Sequence, residues 1–435
     1  MRFTKEFLVE DITLFKKKIL GWAEQYNEVL WLDSNNYTQQ YSSFDGLLAV
    51  DAFTSIKTDF YDGFEKLKEY QSVTKDWLFG YLSYELKNDA EDLYSFNKDR
   101  LFFPDMYFFQ PKKLFIIKGN KIYFHYLNMV SDEMMEDFEN INNNVYTITA
   151  DENTSDKLIR VEKRLHRDSY IEKVDTILSH IQRGDIYEVN FCQEFYAEKT
   201  TITPLTTFHK LNNISKTPFA TYFKLNDLFL LSASPERYIR KQESKVISQP
   251  IKGTAKRAKD VKTDNFLREN LKKDSKERSE NIMIVDLVRN DLSKTAKKGS
   301  VRVAELCEVY TFEQVHQMIS TITSEVAETT HPVDMLKHTF PMGSMTGAPK
   351  ISAMKVIEEQ EITKRGLYSG AVGYFTPEGD FDFNVVIRSI LYNETEQYIS
   401  FSVGSAITAK SIPEKEYEEC LIKAEAMRKV LEGIF

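Results

Sequence analysis

Lys252 sits between two residues that constrain the chain in opposite ways. In Pro250-Ile251-Lys252-Gly253-Thr254 the proline fixes its own φ and donates no hydrogen bond, while the glycine permits a tight turn or a close approach to a ligand. Lys245-Val246-Ile247-Ser248-Gln249 reads as a short strand, so the amine emerges at a strand end, where sites are commonly built. A lysine in a turn is otherwise an ordinary solvated charge. Two carboxylate pairs recur at helical spacing: Glu277 with Glu280, and Glu416 with Glu419, the latter followed by Lys423 along one side. Taken alone, each pair is an ordinary solvated helix face, and Ser234-Pro235-Glu236-Arg237 is a turn with a surface ion pair. Gly343-Ser344-Met345-Thr346-Gly347-Ala348-Pro349-Lys350 superficially suggests a phosphate loop, but its glycine spacing is short and Pro349 stands where a glycine should precede the lysine. That excludes an NTPase. What remains is a glycine-rich turn into a helix, whose N–H groups suit an anion such as a carboxylate.

These groups need elements to position them. Asp11 to Tyr26 is amphipathic, and Val29 to Ser34 reads as a strand. Leu114-Phe115-Ile116-Ile117 and Ile122-Tyr123-Phe124-His125-Tyr126 flank a glycine–asparagine turn and predict a hairpin. From Val130 to Asp156 the chain becomes acidic and polar, which predicts a linker or long surface connection and divides it into 1–155 and 156–435. Asp168-Ser169 opens a helix on Tyr170, Val174, Ile177, Leu178 and Ile181 that Gly184 stops. Ile186 to Phe191, Phe219 to Leu231 and Tyr238 to Ser248 read as strands of a meandering antiparallel sheet. Asn265 to Ala296 reads as one long charged helical tract, and Pro413 starts a last helix.

At 435 residues, with 42% apolar and 13% aromatic residues, the chain is large enough for one big mixed domain or two closely packed halves. No apolar run reaches membrane-span length and the start has no signal-peptide pattern, so a soluble cytoplasmic protein is expected. A net charge of −9 opposes a general nucleic-acid or membrane-surface role. Cys192, Cys307 and Cys420 form no disulfide framework or metal spacing, and none lies in the Gly-x-Cys-x-Gly elbow of a glutaminase. The chain is not expected to make its own ammonia from glutamine.

In order and spacing, five stretches are more specific than any one of them: Ser234 to Arg237, Pro250 to Thr254, Ser279 to Leu292, Gly343 to Lys350, and Val386-Ile387-Arg388-Ser389. Together they closely resemble the chorismate-utilising enzymes typified by anthranilate synthase component I. The resemblance is dense from Asp168 to Lys423 and faint before the linker. It implies an α+β fold, a sandwich of two large antiparallel sheets with helices packed outside and the site between them. Anthranilate synthases typically carry alanine at the position of Lys252, whereas the aminodeoxychorismate synthase component I branch carries lysine. The resemblance therefore implies amination of chorismate, within 4-aminobenzoate and folate synthesis, with ammonia from a separate glutamine amidotransferase subunit. The alternatives are anthranilate synthase component I and a non-catalytic chorismate-binding subunit.

By the same resemblance Lys252 attacks chorismate at C2 while the C4 hydroxyl leaves, and Glu236 is the general acid. A free lysine has a pKa near ~10.4, so roughly one in a thousand is nucleophilic at neutral pH. The expectation is a site that depresses this value, and one that raises that of Glu236. Glu280 and Glu419 match Mg²⁺ ligands, with Glu277 and Glu416 as direct or water-mediated partners. Arg388 and Tyr368 match residues that grip a carboxylate, and Lys423, His316, Ser344 and Gly404 match pocket positions. Glu188 in Tyr187-Glu188-Val189-Asn190 departs from the glutamine common in the family. It is not the lysine found nearby in water-adding relatives, which disfavours hydration and leaves its effect on amination open. Ser405 follows Gly404 where glycine is frequent, which narrows backbone access to the substrate. Leu32-Asp33-Ser34 resembles the start of the tryptophan pocket of anthranilate synthases, with aspartate for the usual glutamate; feedback inhibition is not predicted from it.

Overall fold

Local chemistry sets where the elements begin and stop. Asp11 caps the helix Ile12–Ala23 by accepting the Leu14 N–H at 2.9 Å, and Gly184, at φ 84°, closes the helix Arg167–Arg183. The expected hairpin joins the strands Met106–Lys118 and Lys121–Leu127 through Gly119-Asn120, with Gly119 at φ 60°. The computed structural model describes residues 1–37, 41, 43–143, 159–313 and 315–433.

Three expectations need correction. Phe219 to Leu231 and Tyr238 to Ser248 are each a hairpin, because Asn226 and Glu243 turn the chain at φ 53° and 54°. The tract from Asn265 to Ala296 breaks into the helices Val261–Lys273 and Ser275–Ser293. Asp274 adopts an extended conformation there, and its carboxylate accepts the N–H groups of Lys276 and Glu277, capping the second helix at the expense of continuity. Part of the supposed linker is the helix Met134–Asn143, docked by Asp137, which receives both Lys113 and the Tyr126 hydroxyl. From residue 144 onward that stretch, with the division at 155, lies outside the described residues.

The named strands pair antiparallel into one hydrogen-bonded network with two arms. Met106–Lys118 joins them, pairing along one edge with Gly46–Thr58 and along the other with Lys121–Leu127 and Leu78–Leu82. The first arm runs through Glu28–Asp33, Phe219–Leu225, Leu228–Ser234, Ser389–Asn393 and Tyr398–Thr408 to Glu188–Ala197. The second runs through Ala371–Phe375, Phe381–Val385, Arg237–Gln242 and Lys245–Gln249 to Val315–Glu325, which also holds Ile251–Lys256 and Arg302–Thr311.

Three apolar layers follow from this. Leu30, Leu47, Tyr81, Phe223, Leu230 and Val372 form a core between the arms. On the outer face of the first arm, Phe195, Tyr222 and Phe401 pack against Tyr170, Tyr417 and Met427 of the helices Arg167–Arg183 and Pro413–Glu432. On that of the second, Phe383 and Ile322 pack against Ile284, Val285 and Leu336. The expected sandwich is thus present, its two sheets continuous through shared strands.

Candidate active site

The far ends of the two arms meet where Glu188, first residue of its strand, lies beside Lys252. Ile251 pairs with Ile319 but Thr254 with Gln317, so the lysine strand carries one extra residue over this interval. Such a bulge re-aims a side chain. Gly253 makes it possible: its φ is 93°, and an added Cβ would sit 3.1 Å from Glu277 Oε2 and 3.3 Å from Leu271 Cδ1. Lys252 is largely buried, at 13% side-chain exposure, and among the described residues Glu188 Oε1, at 3.6 Å, is the carboxylate within ion-pair reach of its Nζ.

Burial disfavours the ammonium, but Glu188, Glu280, Glu236 and Glu419 favour it and win, so Lys252 titrates above an ordinary lysine. The depressed amine expected from the sequence is therefore not what the protein's own charges produce. Glu236 does follow expectation. It is 3% exposed, and burial pushes its carboxyl up to about 7 against the opposing effects of Ser344, Lys252 and Arg388. The Ser344 hydroxyl donates to Glu236 Oε1 at 2.7 Å. Arg388, at φ 50°, presents a half-buried guanidinium that has no hydrogen-bond or ion-pair partner among the described residues. An unpaired guanidinium has the planar donor fork that a carboxylate would need.

Across the cleft, the helices Ser275–Ser293 and Pro413–Glu432 bring the two carboxylate pairs together around Lys276. Its Nζ lies 3.5 Å from Glu416 Oε1 and 3.8 Å from Glu280 Oε1. Burial raises Glu280 to about 7, and its buried Oε1 accepts no hydrogen bond. Burial and then Glu419 raise Glu277; burial of Glu419 itself is outweighed by Lys423, 2.7 Å away. Among the described residues no three His, Cys, Asp or Glu side chains converge into a closed metal cage. Glu280, whose buried Oε1 accepts no hydrogen bond, and Glu419 are oxygen donors of the kind that suit a hard cation binding through one or two carboxylates and keeping its waters.

The sequence profile of the chorismate binding enzymes matches residues 27–429. The chain belongs to that family. The match reaches well before the motifs that carry the sequence resemblance. A probable aminodeoxychorismate synthase from rice (Oryza sativa subsp. japonica) is 39% identical over 295 residues, covering 67% of this chain and 32% of that protein. Anthranilate synthase component 1 of Thermus thermophilus is 33% identical over 364 residues, covering 81% and 77%. This chain thus spans about a third of the rice relative. Anthranilate synthase component I from Streptococcus pneumoniae superposes with a TM-score of 0.77 over 90% of this chain and 95% of that one, at 24% identity.

In this chorismate binding enzyme the remaining expected residues fall into two groups. Lys423 donates to the Gly404 carbonyl at 2.9 Å, tying the C-terminal helix to its strand. A Cβ at Gly404 would sit 2.7 Å from Cys192 Sγ, and the Cys192 thiol lies 3.7 Å from the buried Tyr368 hydroxyl, so these three residues are contiguous. His316 is otherwise engaged: its ring nitrogens meet Asp264 at 3.0 Å and Thr311 at 2.9 Å, bracing the helix Val261–Lys273. Lys350 pairs with Asp291 at 2.5 Å, in keeping with exclusion of a phosphate loop. Ser405 donates to Glu416 Oε2, so the departure at that position is spent on a carboxylate. Asp33 pairs with Lys16 at 2.8 Å and lines a cavity with Ser34, Phe219 and Arg237. Sequence reasoning missed Lys276; its position one residue before Glu277, on the carboxylate-bearing side of a helix, was the available signal.

Proposed function

We propose that this chain aminates chorismate to 4-amino-4-deoxychorismate, as the large subunit of an aminodeoxychorismate synthase. The observation that carries the reading is Lys252: a buried amine on a bulge, beside a carboxyl near 7 and an unpaired guanidinium, in a family whose anthranilate synthases typically have alanine there. Arg388, through its planar fork, and Tyr368 grip one carboxylate of the substrate. Mg²⁺ held by Glu280 and Glu419 would offset the charge of the other carboxylate. The Lys252 amine bonds to C2, the ring double bonds shift, and the C4–O bond breaks as Glu236 protonates the departing hydroxyl. Ser344 keeps Glu236 oriented for that transfer. Ammonia then bonds to C4, the double bonds shift back, and Lys252 is released.

Ammonia comes, in this reading, from a separate glutamine amidotransferase subunit. Cys192, Cys307 and Cys420 are all buried, and burial raises each thiol, Cys192 to about 12 and Cys420 to about 11, which argues against a nucleophilic thiolate. A cytoplasmic place in 4-aminobenzoate and folate synthesis belongs to the same proposal; no described helix is long and apolar enough to cross a membrane. The test is mass-spectrometric identification of the product from chorismate, Mg²⁺ and excess ammonium at mildly alkaline pH. Aminodeoxychorismate, with its enolpyruvyl group retained, is expected. Anthranilate with released pyruvate would assign the chain to the other branch, and tight chorismate binding without turnover would make it a binding subunit.

A further inference from the structure

Glu188 has no part in the steps above, yet it is the carboxylate nearest the attacking nitrogen. It is 1% exposed, and its Oε2 is buried without a hydrogen-bond partner. Its backbone is clamped by the glycine-rich turn: Ala348 pairs with Glu188, and a Cβ on Gly347 would lie 2.1 Å from the Glu188 carbonyl oxygen. The side chain is therefore rigidly presented to Lys252 with one oxygen to spare.

Resting on the reading of Lys252 as nucleophile, we infer that Glu188 is the proton acceptor that frees its amine within the substrate-filled site. The groups facing Lys252 are Glu188, Glu236 from the turn after Leu228–Ser234, Glu280 from Ser275–Ser293 and Glu419 from Pro413–Glu432. Glu277 also feels its charge, and Lys276 lies among the helix carboxylates. Glu236 must donate a proton and is unfit to receive one. Glu280 and Glu419 lie beyond ion-pair reach of Nζ, whereas Glu188 is within it. Chorismate adds two negative charges, which further oppose losing the lysine proton to solvent. Excluding water from the buried pair favours its neutral form, amine and carboxylic acid, over the ion pair. The step balances: an Nζ–H bond breaks as an O–H bond forms on Glu188. The electron pair left on nitrogen makes the bond to C2, and the Glu236 proton leaves with the C4 oxygen as water.

A counter-ion and a proton acceptor predict opposite results. If Glu188 only holds the charge on Lys252, Glu188→Gln lowers the lysine pKa and adduct formation speeds up. If Glu188 accepts the proton, the variant must lose it to solvent first. The full chain is given saturating chorismate and Mg²⁺ without ammonia, quenched in acid, and the adduct on Lys252 is followed by intact mass between pH 6 and 8.5. Expected is a variant slower than wild type at pH 7, with the variant-to-wild-type rate ratio rising about tenfold per pH unit; the ratio cancels ionisations that both share. A variant as fast as wild type at pH 7, or a ratio independent of pH, overturns the role of Glu188. Should the variant not fold, the wild type decides below pH 7, where Glu236 keeps its proton: a flat course supports the role and a tenfold rise per unit overturns it. Absence of any adduct in wild type would instead remove Lys252 as nucleophile.

Discussion

Two lysines largely withdrawn from solvent in this protein are treated very differently. Lys113, 3% exposed, reaches Asp137 at 2.5 Å and Glu133 at 2.6 Å, with the rings of Trp22, Tyr26 and Tyr126 around its ammonium. Lys252 has several carboxylates around it and none closer than 3.6 Å. The contrast extends outwards: Asp137 also receives the Tyr126 hydroxyl, whereas around Lys252 Glu188 Oε2 and Glu280 Oε1 are buried without hydrogen bonds and Arg388 has no partner among the described residues. A buried charge kept for structure is saturated; leaving such groups unpaired costs stability. Charged groups of both signs left short of hydrogen bonds around one cleft belong to a site whose partners arrive with the ligand.

Replacing each lysine in turn breaks this comparison most directly. Lys252→Ala is expected to abolish both the chorismate adduct and turnover, read by intact mass and product analysis. Its stability should change little, because the Glu188 carboxyl, already raised by burial, can take up a proton once its partner is gone. Persistence of the adduct in this variant would remove the nucleophile assignment. Lys113→Met should do the reverse. It leaves Asp137 buried without its cation, a loss of about 3–5 kcal/mol measured by denaturant unfolding, with adduct chemistry intact in the folded fraction. Equal effects of the two variants on stability would contradict the distinction.

The same contrast explains what the sequence disclosed. Elements closed by local chemistry were legible: Gly119-Asn120 announces its hairpin and Gly184 its helix end. The break at Asp274 was hidden because no proline or glycine marks it; only the aspartate's competition for the backbone does. Met134–Asn143 was hidden because its docking rests on Met134, Ile141 and the polar Asp137, too sparse a pattern to stand out in an acidic tract. The types of residue at the site could be read along the chain, since strand ends and helix spacing are local properties. Its electrostatics could not, because the carboxylates that raise Lys252 come from four separate segments.

Ser344 sharpens the comparison at its finest scale. Its hydroxyl donates to Glu236 at 2.7 Å, a contact that stabilises the carboxylate and so holds the pKa below where burial alone would put it. An acid that must donate its proton loses activity as pH rises through its pKa, so the alkaline limb of the wild-type profile should fall near pH 7. Ser344→Ala removes the donor, favours the protonated form and moves that limb to higher pH. One hydrogen bond is worth about 1 kcal/mol and a pKa unit about 1.4 kcal/mol, so the shift should be roughly 0.7 unit. A limb that stays in place, or moves to lower pH, would mean that Glu236 is not the group whose proton is being counted.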